Sequence, residues 1–267
     1  SDDPTYKSQV ALPGGLDVDL PAMLQAHGTK MLGERHVATY GPYLATVMKF
    51  IDAHLSLSGQ LHRKAGDPRG PIKPEMWQVG AGGASLYFGW KTPMTPELIR
   101  EHYHAGTLEQ DFQSLQLESG TLVVVPGGTL HAIRKGSFIK EWSHAPTGEE
   151  LKTGDLKAAT VGLWDRTDGK SPRPGKEQLE DSSALLDYVG PEAYQPIELA
   201  RVLQQPRELS RDAAGNVITR IFTTDVTIVE EWTVATSIPH NTFGRGFPVF
   251  VEEGAVEIRG AGGELLG

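Results

Sequence analysis

Cysteine is absent from the 267-residue chain, so no disulfide can brace the fold and no thiolate can bind a metal. A chain without thiols survives in either redox environment, so this absence leaves the compartment open. No apolar run approaches the roughly 18 residues of a membrane-spanning helix, and no positively charged N-terminus leads into an apolar core of the signal-peptide kind. The expectation is a soluble, cytoplasmic protein with no membrane partner. Positive charge is also in deficit. The 25 Lys and Arg stand against 34 Asp and Glu, a net charge of −9, and the pI is about 5.5. A broad nucleic-acid footprint is therefore excluded, and any anionic ligand must be met by a local basic cluster. No segment of roughly 20 to 50 residues recurs. The chain starts at Ser1 without Met and stops inside a strand-rich stretch, which suggests a piece of a longer protein.

The length allows a substantial core without staples. Many short apolar stretches separated by Gly, Pro and Asn predict a mostly β protein, built as small barrels or sandwiches with helical decoration. Residues 17–32 (DVDLPAMLQAHGTKML) have helical spacing and fit one short helix or two. Residues 43–57 form a nearly continuous apolar run, broken by Lys49, Asp52 and His54, that fits a buried strand, although a helix is not excluded there. Residues 76–90 read as two strands joined as a hairpin around GAGG. Thr95 and Pro96 open a helical insertion over 95–112, interrupted by Gly106. Residues 113–139 return to strands, with a Pro-Gly-Gly turn between β-branched runs. The expected organisation is a first domain over 1–164, a linker with short helices over 165–215, and a second, smaller β module over 216–267. The plainest linker is DRTDGKSPRPG, residues 165–175. Short helices fit 179–189 and 197–203.

Two stretches carry the chemistry: residues 57–79 (LSGQLHRKAGDPRGPIKPEMWQV) and residues 122–133 (LVVVPGGTLHAI). Gln60 and His62 are two apart in an apolar/polar alternation, so as strand residues they point to one side of a sheet and can reach the same point. Glu75 and His131 add a third and a fourth arm if their strands line the same cavity. A Gln, His, Glu, His set of nitrogen and oxygen donors suits a borderline divalent metal such as zinc. A single His in a strand-rich protein is more often a hydrogen-bonded structural residue than a ligand, and His27, His36, His54, His102, His104, His144 and His240 are read that way.

The words KFIDAHLSLSGQLH, KPEMW, LYFGW, ELIREHYHAGTLEQDF and VVVPGGTLHAI occur here in the order in which they stand in type I mannose-6-phosphate isomerases. The resemblance spans roughly residues 30–142. It implies a cupin fold, one zinc ion held by Gln60, His62, Glu75 and His131, a substrate-contacting Lys73, and a sugar or sugar phosphate as the small-molecule partner. It also implies isomerisation of an aldose and a ketose through an enediol, in which a divalent ion with an open position stabilises negative charge on oxygen. Two departures stand out. Arg63 and Lys64 follow His62 where the family commonly has Pro and an acidic residue, and the family's Thr-rich word with a catalytic Arg has no counterpart after His131. Glu141 is the candidate second proton-transfer group, with His144 and Lys152 as alternatives. Arg63, Lys64 and Arg69 are the candidates for a local field that attracts phosphate. Trp77, with Trp90 and Trp142, would suit sugar stacking, although Trp in a strand is more often core. Two other readings fit the same residues: a non-haem iron(II) cupin oxygenase, and a catalytically silent sugar-binding or regulatory cupin.

Overall fold

Gly- and Pro-containing turns separate many of the short apolar runs, and the result is a chain of many brief strands. The computed structural model describes residues 9–12, 15–63, 72–144, 160–164, 191–223, 228–241, 249–260 and 262–263. The chain divides into two units: Ser1–Tyr43 with Glu208–Arg220 and Glu230–Gly267, and Leu44–Arg207 with Ile221–Val229.

The first unit opens with β1 (Gln9–Leu12) paired antiparallel to β2 (Leu16–Asp19). The helical spacing over 17–32 becomes α1 (Leu20–Leu32), with Pro21 in its first turn, and α2 (Glu34–Tyr40) follows directly.

The second unit contains β3 (Thr46–Asp52), β4 (Gly59–His62), β5 (Glu75–Val79), β6 (Ala84–Trp90), α3 (Pro96–Ala105), β7 (Phe112–Leu117), β8 (Leu122–Val125), β9 (His131–Ile133), β10 (Phe138–His144), β11 (Thr160–Trp164), α4 (Leu199–Val202) and β12 (Leu203–Gln204). These strands form two five-stranded antiparallel sheets, β12-β8-β5-β10-β3 and β11-β4-β9-β6-β7. Trp77, Val79, Val123, Val125 and Ile139 from the first sheet pack on Leu86, Phe88, Leu115 and Ile133 from the second. This is the cupin-type, mostly β architecture expected from the sequence. No strand is shared between the two sheets among the described residues, so they face one another without closing into one hydrogen-bonded barrel.

Two expectations are corrected. β5 and β6 are not a hairpin: β5 pairs with β10 and β8, whereas β6 pairs with β7 and β9. The GAGG turn therefore carries the chain from one sheet to the other. β3 is not buried either. Among the described residues it pairs only with β10, at the rim of its sheet, and Val47 and Phe50 are 40% and 46% exposed.

The helical insertion lies where the sequence placed it. The Thr95 hydroxyl accepts a hydrogen bond from the Leu98 N–H (3.3 Å) at the start of α3, and α3 ends at Gly106. Ile99 from α3 joins Leu61, Leu108, Phe112, Leu130 and Leu163 in a second apolar cluster. The strand β6 reaches that cluster through a register shift between Tyr87 and Trp90. Gly89 makes the shift with φ +68°, a conformation unfavourable to residues with a Cβ, and an added Cβ would lie 2.8 Å from the Ile197 side chain. Phe88 thereby points into the inter-sheet core while Trp90 points to the insertion.

The later β region consists of β13 (Arg207–Arg211), β14 (Val217–Thr223) and β15 (Ile228–Thr233), in that order in one sheet. The apolar residues Val249, Phe250, Val251, Val256 and Ile258, within the β module expected over 216–267, are exposed and lie outside any strand. The linker at 165–175 and the helix at 179–189 fall outside the described residues.

Candidate metal centre

Strand alternation places the donors. On β4 the side chains of Gln60 and His62 share one face, and Leu61 between them faces the insertion cluster with Ile99 and Leu163. His131 begins β9 directly opposite Gln60 on one side and Phe88 on the other. The Pro126-Gly127-Gly128 turn sets that register. Gly128, at φ +84°, donates its N–H to the carbonyl of His62 (2.7 Å), and Thr129 N–H returns to Pro126 O (3.1 Å). Glu75 arrives from the other sheet at the start of β5, so the site lies between the sheets.

His62 Nε2 lies 3.0 Å from Glu75 Oε1, and His131 Nε2 lies 3.7 Å from Glu75 Oε2. One ligand-type atom from each of the three residues falls within 4.8 Å of the others. The two imidazoles are 4.9 Å apart, and all three side chains are 1% exposed. The Gln60 amide lies 3.5 Å from His131 Nε2. A half-turn of that amide exchanges its nitrogen for its oxygen at the same place.

The histidines are oriented from behind. His131 Nδ1 lies 2.9 Å from the Thr129 carbonyl, which can only accept, so Nδ1 carries the proton and Nε2 turns its lone pair toward Glu75. Thr160 Oγ1 on β11 lies 3.0 Å from His62 Nδ1. Burial, reinforced by the nearby His62, pushes the His131 pKa down from 6.5 to about 3, which keeps the ring neutral at pH 7. Burial alone would push the Glu75 carboxyl up, but His62, Lys73 and His131 together outweigh it and hold Glu75 well below the usual carboxylate value. A buried set of two imidazoles, an ionised carboxylate and a carboxamide fits a divalent cation such as zinc.

Glu75 is gripped on both oxygens. The Lys73 amine bonds Oε1, and the Trp77 indole N–H donates to Oε2 at 3.2 Å. Trp77 is 1% exposed, packed in the inter-sheet core and edge-on to His131 at 5.3 Å, so it offers no open face for a sugar to stack on. Trp90 is likewise buried, stacked on Phe112.

Glu141 is not within the cluster. It lies on β10 opposite Trp77 on one side and Lys49 on the other, is 4% exposed, and bonds the Lys49 amine. Opposed side chains share a face, so the Lys49–Glu141 pair and Glu75 line the same side of this sheet, with Glu141 diagonal to Glu75. The sequence did not single out Lys49. Its only signal was a charge inside an apolar run. Arg63, directly after His62 at the end of β4, is 4% exposed. Lys64, Arg69 and Lys152 lie outside the described residues.

An open depression of about 430 Å³ lies elsewhere, lined by Tyr87, Lys91, Glu109, Phe112 and Arg134. Tyr87 opposes Ala132, and Phe88 opposes His131, so the depression lies on the other side of β6 and β9 from the metal centre. Its cations are already engaged. Arg134 sits 4.6 Å over the Tyr87 ring and bonds Ser85 and Ser114, and Lys91 bonds the Gln110 carbonyl.

No protein-family model matches the chain, and no curated protein matches it. Solved structures do. The mannose 6-phosphate isomerase from Bacillus subtilis is similar over 87% of this chain and 68% of its own, with a TM-score of 0.58 and 18% identity. A putative mannosephosphate isomerase from Archaeoglobus fulgidus is similar over 82% of this chain and 63% of its own, with a TM-score of 0.56 and 14% identity. A zinc-bound mannose 6-phosphate isomerase is similar over 81% of this chain and 72% of its own, with a TM-score of 0.51 and 13% identity. At these identities the likeness establishes a common fold. No described helix is long and apolar enough to cross a membrane.

Proposed function

We infer that the protein is a metal-dependent aldose–ketose isomerase acting on a hexose phosphate, with mannose 6-phosphate and fructose 6-phosphate as the interconverted pair. The observation that carries this is the convergence of His62, Glu75 and His131 on one buried point, within a fold shared with mannose 6-phosphate isomerases. Gln60, His62, Glu75 and His131 are the residues that would hold zinc, and zinc would supply Lewis-acid stabilisation of the oxygen charge that develops as the enediol forms.

The rest falls to this chain's own groups. Isomerisation removes a proton from the carbon next to the carbonyl and returns one to the carbonyl carbon, while a proton moves between the two oxygens. Lys73 carries the polar end of this work. Its side chain is 20% exposed and its amine touches Glu75, so it can turn from the carboxylate to a sugar oxygen. Glu141, buried beside Lys49 on the same sheet face, is the second proton-transfer group. Arg63, Lys64 and Arg69 precede β5 in the chain and are assigned to the phosphate, which a chain of net charge −9 must meet locally.

Two histidines and one carboxylate also describe the open iron(II) site of cupin oxygenases. The Gln60 amide beside His131 favours a four-donor site instead.

Elemental analysis of the purified protein and incubation with mannose 6-phosphate in deuterated water test the proposal. Fructose 6-phosphate with deuterium at C1 is expected, with activity lost to a chelator and restored by zinc. Stoichiometric iron with oxygen uptake would replace isomerase by oxygenase. No interconversion of mannose 6-phosphate or of free hexoses by the metal-loaded protein would leave a silent sugar-binding cupin.

A further inference from the structure

The geometry points to Trp77 as a positioning residue of the metal centre, whose indole N–H holds the Glu75 carboxylate in the orientation that binds the ion. This rests on the metal-dependent reading above and adds a residue to it. Trp77 follows Glu75 by two positions on β5, so both side chains enter the space between the sheets. Its Nε1–H donates to Glu75 Oε2 at 3.2 Å, and its ring meets His131 edge-on at 5.3 Å and 79°. One rigid side chain therefore touches two of the three clustered donors. It is fixed in turn by Phe88, at 6.4 Å and 76°, and Phe88 is the residue opposite His131 on β6.

The two partners of Glu75 differ in kind. Lys73 is a flexible chain, 20% exposed, and can leave Oε1 for a ligand. Trp77 is 1% exposed and has only two side-chain torsions, both closed in by the core, so Oε2 keeps its partner throughout a reaction cycle. A carboxylate held on one oxygen by a neutral, immobile donor cannot swing away from the imidazoles. Outer partners of this kind typically change metal affinity by about 10- to 100-fold.

Zinc affinity of the full chain is measured by competition with a chromophoric chelator for wild type, Trp77→Phe and Phe88→Leu. Trp77→Phe keeps an aromatic ring and removes the N–H. Phe88→Leu loosens the same packing and leaves the N–H. Trp77→Phe is expected to weaken zinc by about 10- to 100-fold and to alter the visible spectrum of the cobalt-substituted protein, while Phe88→Leu stays within about threefold of wild type. Equal zinc affinity in wild type and Trp77→Phe overturns the role. So does equal weakening in Phe88→Leu, which would trace the effect to packing.

If Trp77→Phe does not fold, the wild type labelled with ¹⁵N-tryptophan answers instead. The chain has five tryptophans, and the Trp77 indole resonance is identified by changing Trp90, Trp142, Trp164 and Trp232 to Phe one at a time. It is expected to shift on zinc addition, and an unmoved resonance overturns the proposal. Wild type that binds no divalent metal sinks the isomerase reading and this one together. Wild type that binds zinc with an unaltered Trp77→Phe sinks only this one.

Discussion

Gln60 and His131 stand directly opposite one another across β4 and β9, although 71 positions separate them in the chain. The side-chain period of a strand is two, so a slip of one residue in either strand would send its donor to the far side of the sheet. The hydrogen bond from Gly128 to the carbonyl of His62 ties the turn before β9 to the end of β4 and prevents that slip.

The three converging side chains should act as one ligand set. His62→Ala and His131→Ala are each expected to lose stoichiometric metal after gel filtration, read by elemental analysis. Gln60→Ala should retain metal with affinity reduced by about tenfold or more, because the other three donors remain. Full metal content in both histidine variants would remove the assignment.

His131 predicts an acid limit to stability. Its pKa is about 3 when folded and 6.5 in the ordinary exposed state. Above pH 6.5 the ring is neutral in both states and pH has no effect through it. Between 6.5 and 3 the unfolded chain binds a proton that the folded chain refuses, so stability falls as pH falls. The Glu75 carboxyl, held below its usual value, works in the same direction at lower pH. From pH 7 to pH 5 the His131 contribution is about 2 kcal/mol, from about 1.4 kcal/mol per pH unit over the 1.5 units below 6.5. Urea unfolding of metal-stripped protein should show a drop over that range larger in wild type than in His131→Leu by about this amount. Equal drops would show that the ring is protonated when folded.

Lys73→Met tests the lysine apart from the metal. Turnover is expected to fall by about 10²-fold or more, the scale of a lost proton-transfer or charge-stabilising group, with zinc content unchanged. Unchanged activity in the steady-state assay excludes Lys73 from the mechanism.

Lys49 and Glu141 test whether a buried carboxylate depends on its partner. Lys49→Met leaves Glu141, 4% exposed, without the amine it bonds. A cost of about 1–3 kcal/mol is expected, below the figure for a fully buried pair because the Lys49 side chain is 44% exposed. Adding Glu141→Gln should recover part of it, since a neutral amide is cheaper to bury. A thermal or urea double-mutant cycle with no coupling would show the contact to be energetically empty. If Glu141 transfers a proton, Glu141→Gln alone lowers turnover while metal content stays intact.

The sequence by itself determined the local parts. The i, i+2 spacing of Gln60 and His62, the Pro-Gly-Gly turn before His131 and the Thr95 cap of α3 are consequences of nearest-neighbour sterics and backbone hydrogen bonding, and each is found where the residues require it. Tertiary structure decided which strands became partners. GAGG has turn chemistry, but a turn dictates only that the chain changes direction, and here it changes sheets, so β5 and β6 never pair. The apolar run at 43–57 read as buried because its composition is apolar. Its exposure was set by lying at the rim of a sheet, which no window of residues records. The same holds for the contacts that tune the site. Lys49 meets Glu141 across 92 positions, and Trp77 turns from a presumed sugar platform into a donor to Glu75. Side-chain direction follows from the strand period, but what lies opposite follows from pairings between distant segments, which are chosen by burial of the whole core.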